Sequence, residues 1–208
     1  MKFSTTTTLL GAALAGSASA QNYTQSAPFT LRVVSSDPAS NITDSYLYAC
    51  HAGAAIEGLC VGSNSTTPTV SNTYYFNTTT CDGCTPTNLG SLVWNLPVQL
   101  PDADHYSEAL SISLDNLGSN VHFPLFEGGY GSTQLGFTDD KKLFASVYGD
   151  DSKNVPGERP ESVTEELQNW YVCWGTVGGY YYQALAWVTA GEPHNPTCEK
   201  VEVVRDDI

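Results

Sequence analysis

The 208-residue chain carries 22 acids against 8 bases, a formal charge of −14, with 14 % of its residues charged and 41 % hydrophobic. That balance argues against a nucleic-acid partner, which is held by Lys and Arg on phosphates, and the apolar fraction is too high for disorder and too low for a membrane protein. The length fits a single domain.

The first twenty residues have the layout of a secretory signal: Lys2, an apolar stretch at 9–15, and the small-residue cleavage site Ala18-Ser19-Ala20. Cleavage there starts the mature chain at Gln21, leaves one domain over 21–208, and sets seven bases against 22 acids, a charge of −15. No later stretch reaches the ~18 apolar residues that cross a bilayer, and the C-terminus has neither a lipid-anchor tail nor a retention signal. The expectation is a secreted protein, extracellular or cell-wall-associated. Four glycosylation sequons, at Asn22, Asn41, Asn64 and Asn77, agree with export. So do the six cysteines, 50, 60, 81, 84, 173 and 198. Of the fifteen connectivities open to six cysteines, sequence neighbours flanking turns favour Cys50–Cys60, Cys81–Cys84 and Cys173–Cys198.

From there the chain reads as about twelve short strands separated by turn residues: 29–35, 46–50, 55–61, 73–77, 91–96, 109–114, 121–126, 134–138, 143–148, 170–174, 182–188 and 200–205. Within 109–114 the leucines and isoleucine alternate with serines, the period of a half-buried strand. Between 62 and 80 a Ser/Thr/Asn-rich stretch with two sequons reads as a glycosylated surface loop around strand 73–77. The one helical expectation is about two surface turns opened by the capping-box spacing Ser162…Glu165 and running to Gln168. Grouped in fours, the strands give a loose repeat of roughly sixty residues. Its junctions echo each other, Phe76-Asn77 leading to Ser91-Leu92 and Phe137-Thr138 leading to Leu143. An all-β fold is expected, a β-trefoil-like barrel favoured over a two-sheet β-sandwich.

The run LYACHAGAAIEGLC at 47–60, NWYVC at 169–173, LAWV at 185–188 and NPTC at 195–198 together resemble small secreted proteins of filamentous ascomycete fungi. The late Trp/Cys block is more distantly similar to the fungal cell-wall protein associated with phialide development. The first resemblance implies an extracellular protein without an assigned activity, and the second hints at a wall role. Neither brings catalytic residues.

Candidate chemistry is sparse. The acid pairs Asp102/Asp104, Asp139/Asp140, Asp150/Asp151, Glu165/Glu166 and Asp206/Asp207 fall mostly in turns, where they read as solvated surface. Glu57 is the one carboxylate inside an apolar strand, and an edge position or a structural hydrogen bond is the reading preferred over catalysis. Gly128-Gly129-Tyr130-Gly131-Ser132 is neither a nucleophile elbow nor a dinucleotide loop. His51, His105, His122 and His194 lack metal-ligand spacing, and Gln21 at the mature N-terminus leaves no histidine there for oxidative copper chemistry. Cys81-Asp82-Gly83-Cys84 has redox spacing, but Thr85-Pro86 forbids the helix that would lower a thiol pKa.

Aromatic rings are the better lead. Trp170, Val172 and Trp174 share a strand face, and the preferred reading places Trp170, Trp174 and Trp187 in the core beside the Cys173–Cys198 bridge. Tyr180, Tyr181 and Tyr182 follow a Gly-Gly turn and cannot all point inward, so at least one is expected at the surface as a ligand-binding ring. The expected function is a monomeric, non-catalytic binding module for polysaccharide or for a host or wall protein, without cofactor or metal. The alternative is a small secreted glycoside hydrolase, which requires a strand carboxylate such as Glu57 with an acidic partner at a cleft.

Overall fold

A computed structural model describes residues 22–62, 64–80, 88–114, 117–128, 132–148, 154–158 and 164–208. The signal segment, the Asn22 side chain, Cys81 and Cys84, the 129–131 glycine loop and Asp150/Asp151 lie outside the described residues.

Among the described residues the fold is all-β, with fifteen strands: β1 (Asn22–Gln25), β2 (Phe29–Ser35), β3 (Leu47–Gly53), β4 (Ile56–Val61), β5 (Tyr74–Thr80), β6 (Leu89–Leu100), β7 (Ala103–Ser111), β8 (Val121–His122), β9 (Leu125–Glu127), β10 (Leu135–Phe137), β11 (Leu143–Tyr148), β12 (Thr164–Leu167), β13 (Trp170–Val177), β14 (Tyr180–Val188) and β15 (Glu199–Asp207). Fifteen replace the expected dozen because β1 and β12 have little apolar content to announce them and because the strand expected at 121–126 is interrupted between β8 and β9. The expected two-turn helix is absent at its described part. Thr164–Leu167 is β12, paired antiparallel with β11, and its residues alternate between exposed and half-buried. Two isolated helical turns do not offset the cost of nucleation, whereas β11 supplies a ladder ready to be extended. A single 3-10 turn, Val70–Asn72, is the helical element among the described residues.

Among the described residues every pairing is antiparallel, and the strands join in one sheet ordered β1-β5-β2-β15-β13-β14-β4-β9-β7-β6-β10-β11-β12, with β3 paired off this path on β4, β8 on β14, and a further β5–β6 pairing. The junction echoes read in the sequence correspond to pairings Phe76↔Leu92 and Phe137↔Leu143. They do not make the expected trefoil: two links of the path, Phe29↔Tyr74 and Ala184↔Cys60, are single residue pairs, and the sheet is not a clear barrel.

Alternation builds the main core. Phe29, Leu31 and Val33 of β2 are fully buried, as are Val201 and Val203 of β15, while Lys200 before the valines and Glu202 between them face outward. Leu59, Tyr74, Leu92, Leu110, Phe126, Trp170 and Leu185 are among the residues packed with them. At ~1.5–3 kcal/mol for each fully buried large apolar side chain, these strands set the register of the sheet. A second, smaller core lies between the β3–β4 and β13–β14 hairpins, formed by Cys50, Ala52, Cys60, Val177 and Ala184. Two of the expected disulfides are present, Cys50–Cys60 inside that second core and Cys173–Cys198 joining β13 to the segment before β15.

All described basic side chains gather on or against β15. Arg32 binds Asp206 and Asp44, Lys142 binds Glu202, Lys141 and Arg205 bind Asp207, and Lys200 lies 4.7 Å over the Tyr171 ring. Asp206 and Asp207 are therefore partners in an ion-pair network that fixes the last strand, not merely solvated charges. Asp102, Asp104, Asp139 and Asp140 are exposed as expected.

Candidate functional site

The β13–β14 hairpin runs in continuous register from Trp170↔Trp187 to Val177↔Tyr180. Its turn needs glycine at 178, where φ is +58° and a Cβ would stand 2.0 Å from the Ala52 carbonyl oxygen. Side chains alternate faces, so Trp174 and Thr176 continue the face of Trp170 and Val172, with Gln183 and Tyr181 directly opposite them. The other face, with Val177 and Ala184, is closed by the second core.

Trp170 and Trp187 are buried as expected, their rings 4.8 Å apart edge to face. Trp174 departs from the expectation. It is 43 % exposed, because the hairpin at that point has run past the main core, and its ring lies 5.7 Å from that of Tyr181 at an interplanar angle of 23°. Tyr181 is 66 % and Tyr180 45 % exposed. Tyr182 is half-buried, stacks on Tyr180 at 5.9 Å and donates its hydroxyl to the His51 carbonyl at 3.1 Å, while the His51 ring meets Tyr180 edge-on. Two aromatic pairs thus reach the surface at one end of the hairpin.

Trp174 is held from behind. Its N–H donates to Thr197 Oγ1 at 3.0 Å and its carbonyl accepts from Asn195 Nδ2 at 2.8 Å. Cys173–Cys198 ties the same two segments covalently. The loop that carries Asn195 is itself organised by Asn120, whose Nδ2 donates to the carbonyls of Ala190 and Glu192 and whose Oδ1 accepts from His194 N–H. These three supporting residues gave no signal in the sequence beyond an Asn-Pro-Thr turn. Rigid aromatic contacts of this kind bind with little entropy loss.

The structure also answers the carboxylate question. Glu57 is not at an edge: β4 lies between β3 and β9. It is 7 % exposed, Glu108 of β7 is fully buried, and Glu57 Oε2 and both Glu108 oxygens have no hydrogen-bond partner among the described residues. Burial first, then the Glu57 carboxyl, then the charge of Glu127 push the Glu108 carboxyl up to about 8. Glu127 accepts a hydrogen bond from Ser111 Oγ at 3.0 Å. Glu108 lay one residue ahead of the expected strand 109–114, and its even spacing with Leu110 and Ile112 is the signal that would have found it. Neither glutamate lines the grooves described below.

Two grooves mix polar and apolar lining, Val34 and Val201 contributing to the first. One of about 380 Å³ lies among Ser35, Ser36, Gln168, Lys200 and Glu202, and one of about 350 Å³ lies among Tyr46, Tyr48, Ser65, Thr67 and Ser71. The glycosylation candidates Asn41 and Asn64 are exposed and Asn77 is half-buried. Among the described residues no group of three or more His, Cys, Asp or Glu is placed to hold a metal ion, and no helix is long and apolar enough to cross a membrane.

Fold and surface define an all-β, disulfide-bonded protein with an open aromatic face on one hairpin. The chain belongs to the family of the domain of unknown function DUF7907, whose model matches residues 26–207. No curated protein and no solved structure matches it.

Proposed function

We propose that this is an exported, non-catalytic binding protein that takes a neutral polysaccharide on the Trp174–Tyr181 face. The observation that carries the reading is the pair of exposed, near-parallel rings on a hairpin braced by a disulfide and by Asn195 and Thr197. Such rings stack on the C–H faces of sugars, and Gln183 and Thr176 opposite them offer hydroxyl and amide partners. A neutral ligand is favoured because the described bases are engaged at β15 by carboxylates or, for Lys200, by the Tyr171 ring and the Gln168 carbonyl. Export is supported by the signal-like N-terminus, the sequons and the disulfides, and the resemblance to fungal extracellular proteins agrees.

Retention on insoluble chitin, β-glucan and cellulose tests it. The expected result is binding to at least one, weakened about tenfold in Trp174→Ala and in Tyr181→Ala, the loss of ~1.4 kcal/mol for each stacked ring. Retention unchanged in both variants, or absent on every polysaccharide, overturns the proposal. The hydrolase alternative has its inward acid pair in Glu57 and Glu108, but with Glu108 fully buried there is no surface at which a glycosidic oxygen meets both.

A further inference from the structure

We infer that the groove beside Asn64 seats that residue's own N-linked glycan, with the first N-acetylglucosamine lying against Tyr46 and Tyr48. The inference rests on the export part of the reading above, not on the polysaccharide part. Asn64-Ser65-Thr66 is a complete acceptor sequence, and Gly62 and Ser65, on either side of Asn64 in the chain, line the groove. Asn64 is exposed, and its Oδ1 is taken by Ser45 Oγ at 3.0 Å, which fixes the amide and leaves Nδ2 as the atom to be modified. In the transfer, Nδ2 forms a bond to C1 of a lipid-linked oligosaccharide, the C1–oxygen bond to the lipid pyrophosphate breaks, and the amide loses one proton.

The groove is built to last. Its outer wall, Ser65 to Thr69, is pinned by Asn72, whose Oδ1 accepts from Thr69 N–H at 2.6 Å and whose Nδ2 donates to the Thr67 carbonyl at 3.3 Å. Trp94 Nε1 donates to the Val70 carbonyl just beyond, at 2.9 Å. The floor is fixed by Tyr46, whose hydroxyl donates to Asp206 at 3.0 Å and whose carbonyl accepts from Gly62 N–H at 2.8 Å. What remains unpaired among the described residues is the chemistry a sugar uses: the Tyr48 and Thr67 hydroxyls beside two aromatic rings. Its volume of about 350 Å³ lies in the range of small-molecule sites. A covalently attached sugar reaches these groups at a high effective concentration, so even weak contacts order it.

The test uses the full chain secreted from a eukaryotic host, with Asn22, Asn41 and Asn77 changed to Gln so that Asn64 alone is open. The glycan is trimmed enzymatically to one N-acetylglucosamine. The comparison is Thr66→Ala, which destroys the acceptor sequence while keeping the Asn64–Ser45 hydrogen bond. We expect the trimmed protein to show sugar-to-ring contacts at Tyr48 by NMR, and the Thr66→Ala chain to lose them and to melt about 2–4 °C lower. A glycan on Asn64 with Tyr46 and Tyr48 signals identical in the two proteins overturns this inference alone. A chain kept inside the host without glycan overturns the export reading and this inference together.

Discussion

Glu108 makes the fold prefer acid. In the unfolded chain its carboxyl ionises near the ordinary value of 4.5, whereas in the folded protein burial and the neighbouring Glu57 push it up to about 8. The folded state therefore binds more protons than the unfolded state between those values, and stability falls as pH rises through that window. The contribution is fully present below about pH 4.5 and is gone above about pH 8. At ~1.4 kcal/mol per pH unit the ceiling is near ~5 kcal/mol, and relaxation with entry of water around the buried charge reduces the expected loss to ~2–3 kcal/mol. Glu57, on β4 one strand beyond β9, acts on Glu108 directly and Glu127 of β9 through its charge, while Trp94 of β6 is the cross-strand partner of Glu108. Asp104, held low by His105, and Asp207, held low by Lys141 and Arg205, act with the opposite sign and only at pH below the ordinary carboxylate range. Urea unfolding at fixed ionic strength from pH 5 to 9, followed by tryptophan fluorescence, covers the window, and the difference between the parent and a Glu108 variant isolates the buried pair. Glu108→Gln keeps the shape of the protonated acid and should remove most of the slope, leaving under ~1 kcal/mol of change across the window. A variant as pH-sensitive as the parent refutes the argument.

The hairpin turn and its support give two further predictions. Gly178→Ala places a Cβ on the Ala52 carbonyl at positive φ and should cost ~2 kcal/mol or more, while Gly179→Ala, with open space around its Cβ, should change stability by under ~0.5 kcal/mol; equal melting temperatures for the two would refute the assigned turn. Asn195→Ala removes the amide that holds the Trp174 carbonyl and should cost only ~1 kcal/mol in stability. It should also broaden the Trp174 indole signal and weaken polysaccharide retention several-fold, and retention equal to the parent's would show that the ring needs no bracing.

Strand periodicity carried most of the fold. Phe29, Leu31 and Val33, or Val201 and Val203, declare an inward face by alternation alone, and two cysteine pairs close where sequence neighbours flank turns. Sheet order was not legible, because it depends on which strands meet far apart in the chain. Lys142, for instance, bridges to Val204 and binds Glu202 only once β15 has returned beside the turn before β11. The supposed helix at 162–168 shows the related failure: a capping pattern states what the segment does alone, and the waiting edge of β11 outweighs it.

The candidate site was half legible for a reason that bears on function. Alternation assigns Trp174 to the face of Trp170 and Val172, and from that parity it belongs in the core. Parity says nothing about where the core ends. The hairpin continues past the main core because its opposite face still has something to bury against: Val177 and Ala184 pack on the Cys50–Cys60 hairpin. One face of the extension is thus stabilised structurally while the other is left bare, with Trp174 and Tyr181 on it. Stacking of the two rings adds only ~0.5–1.5 kcal/mol, against the aggregation risk of leaving large apolar surface exposed. The effort spent on holding them still, through Asn195, Thr197 and Cys173–Cys198, makes sense if the bare face is where a ligand lands.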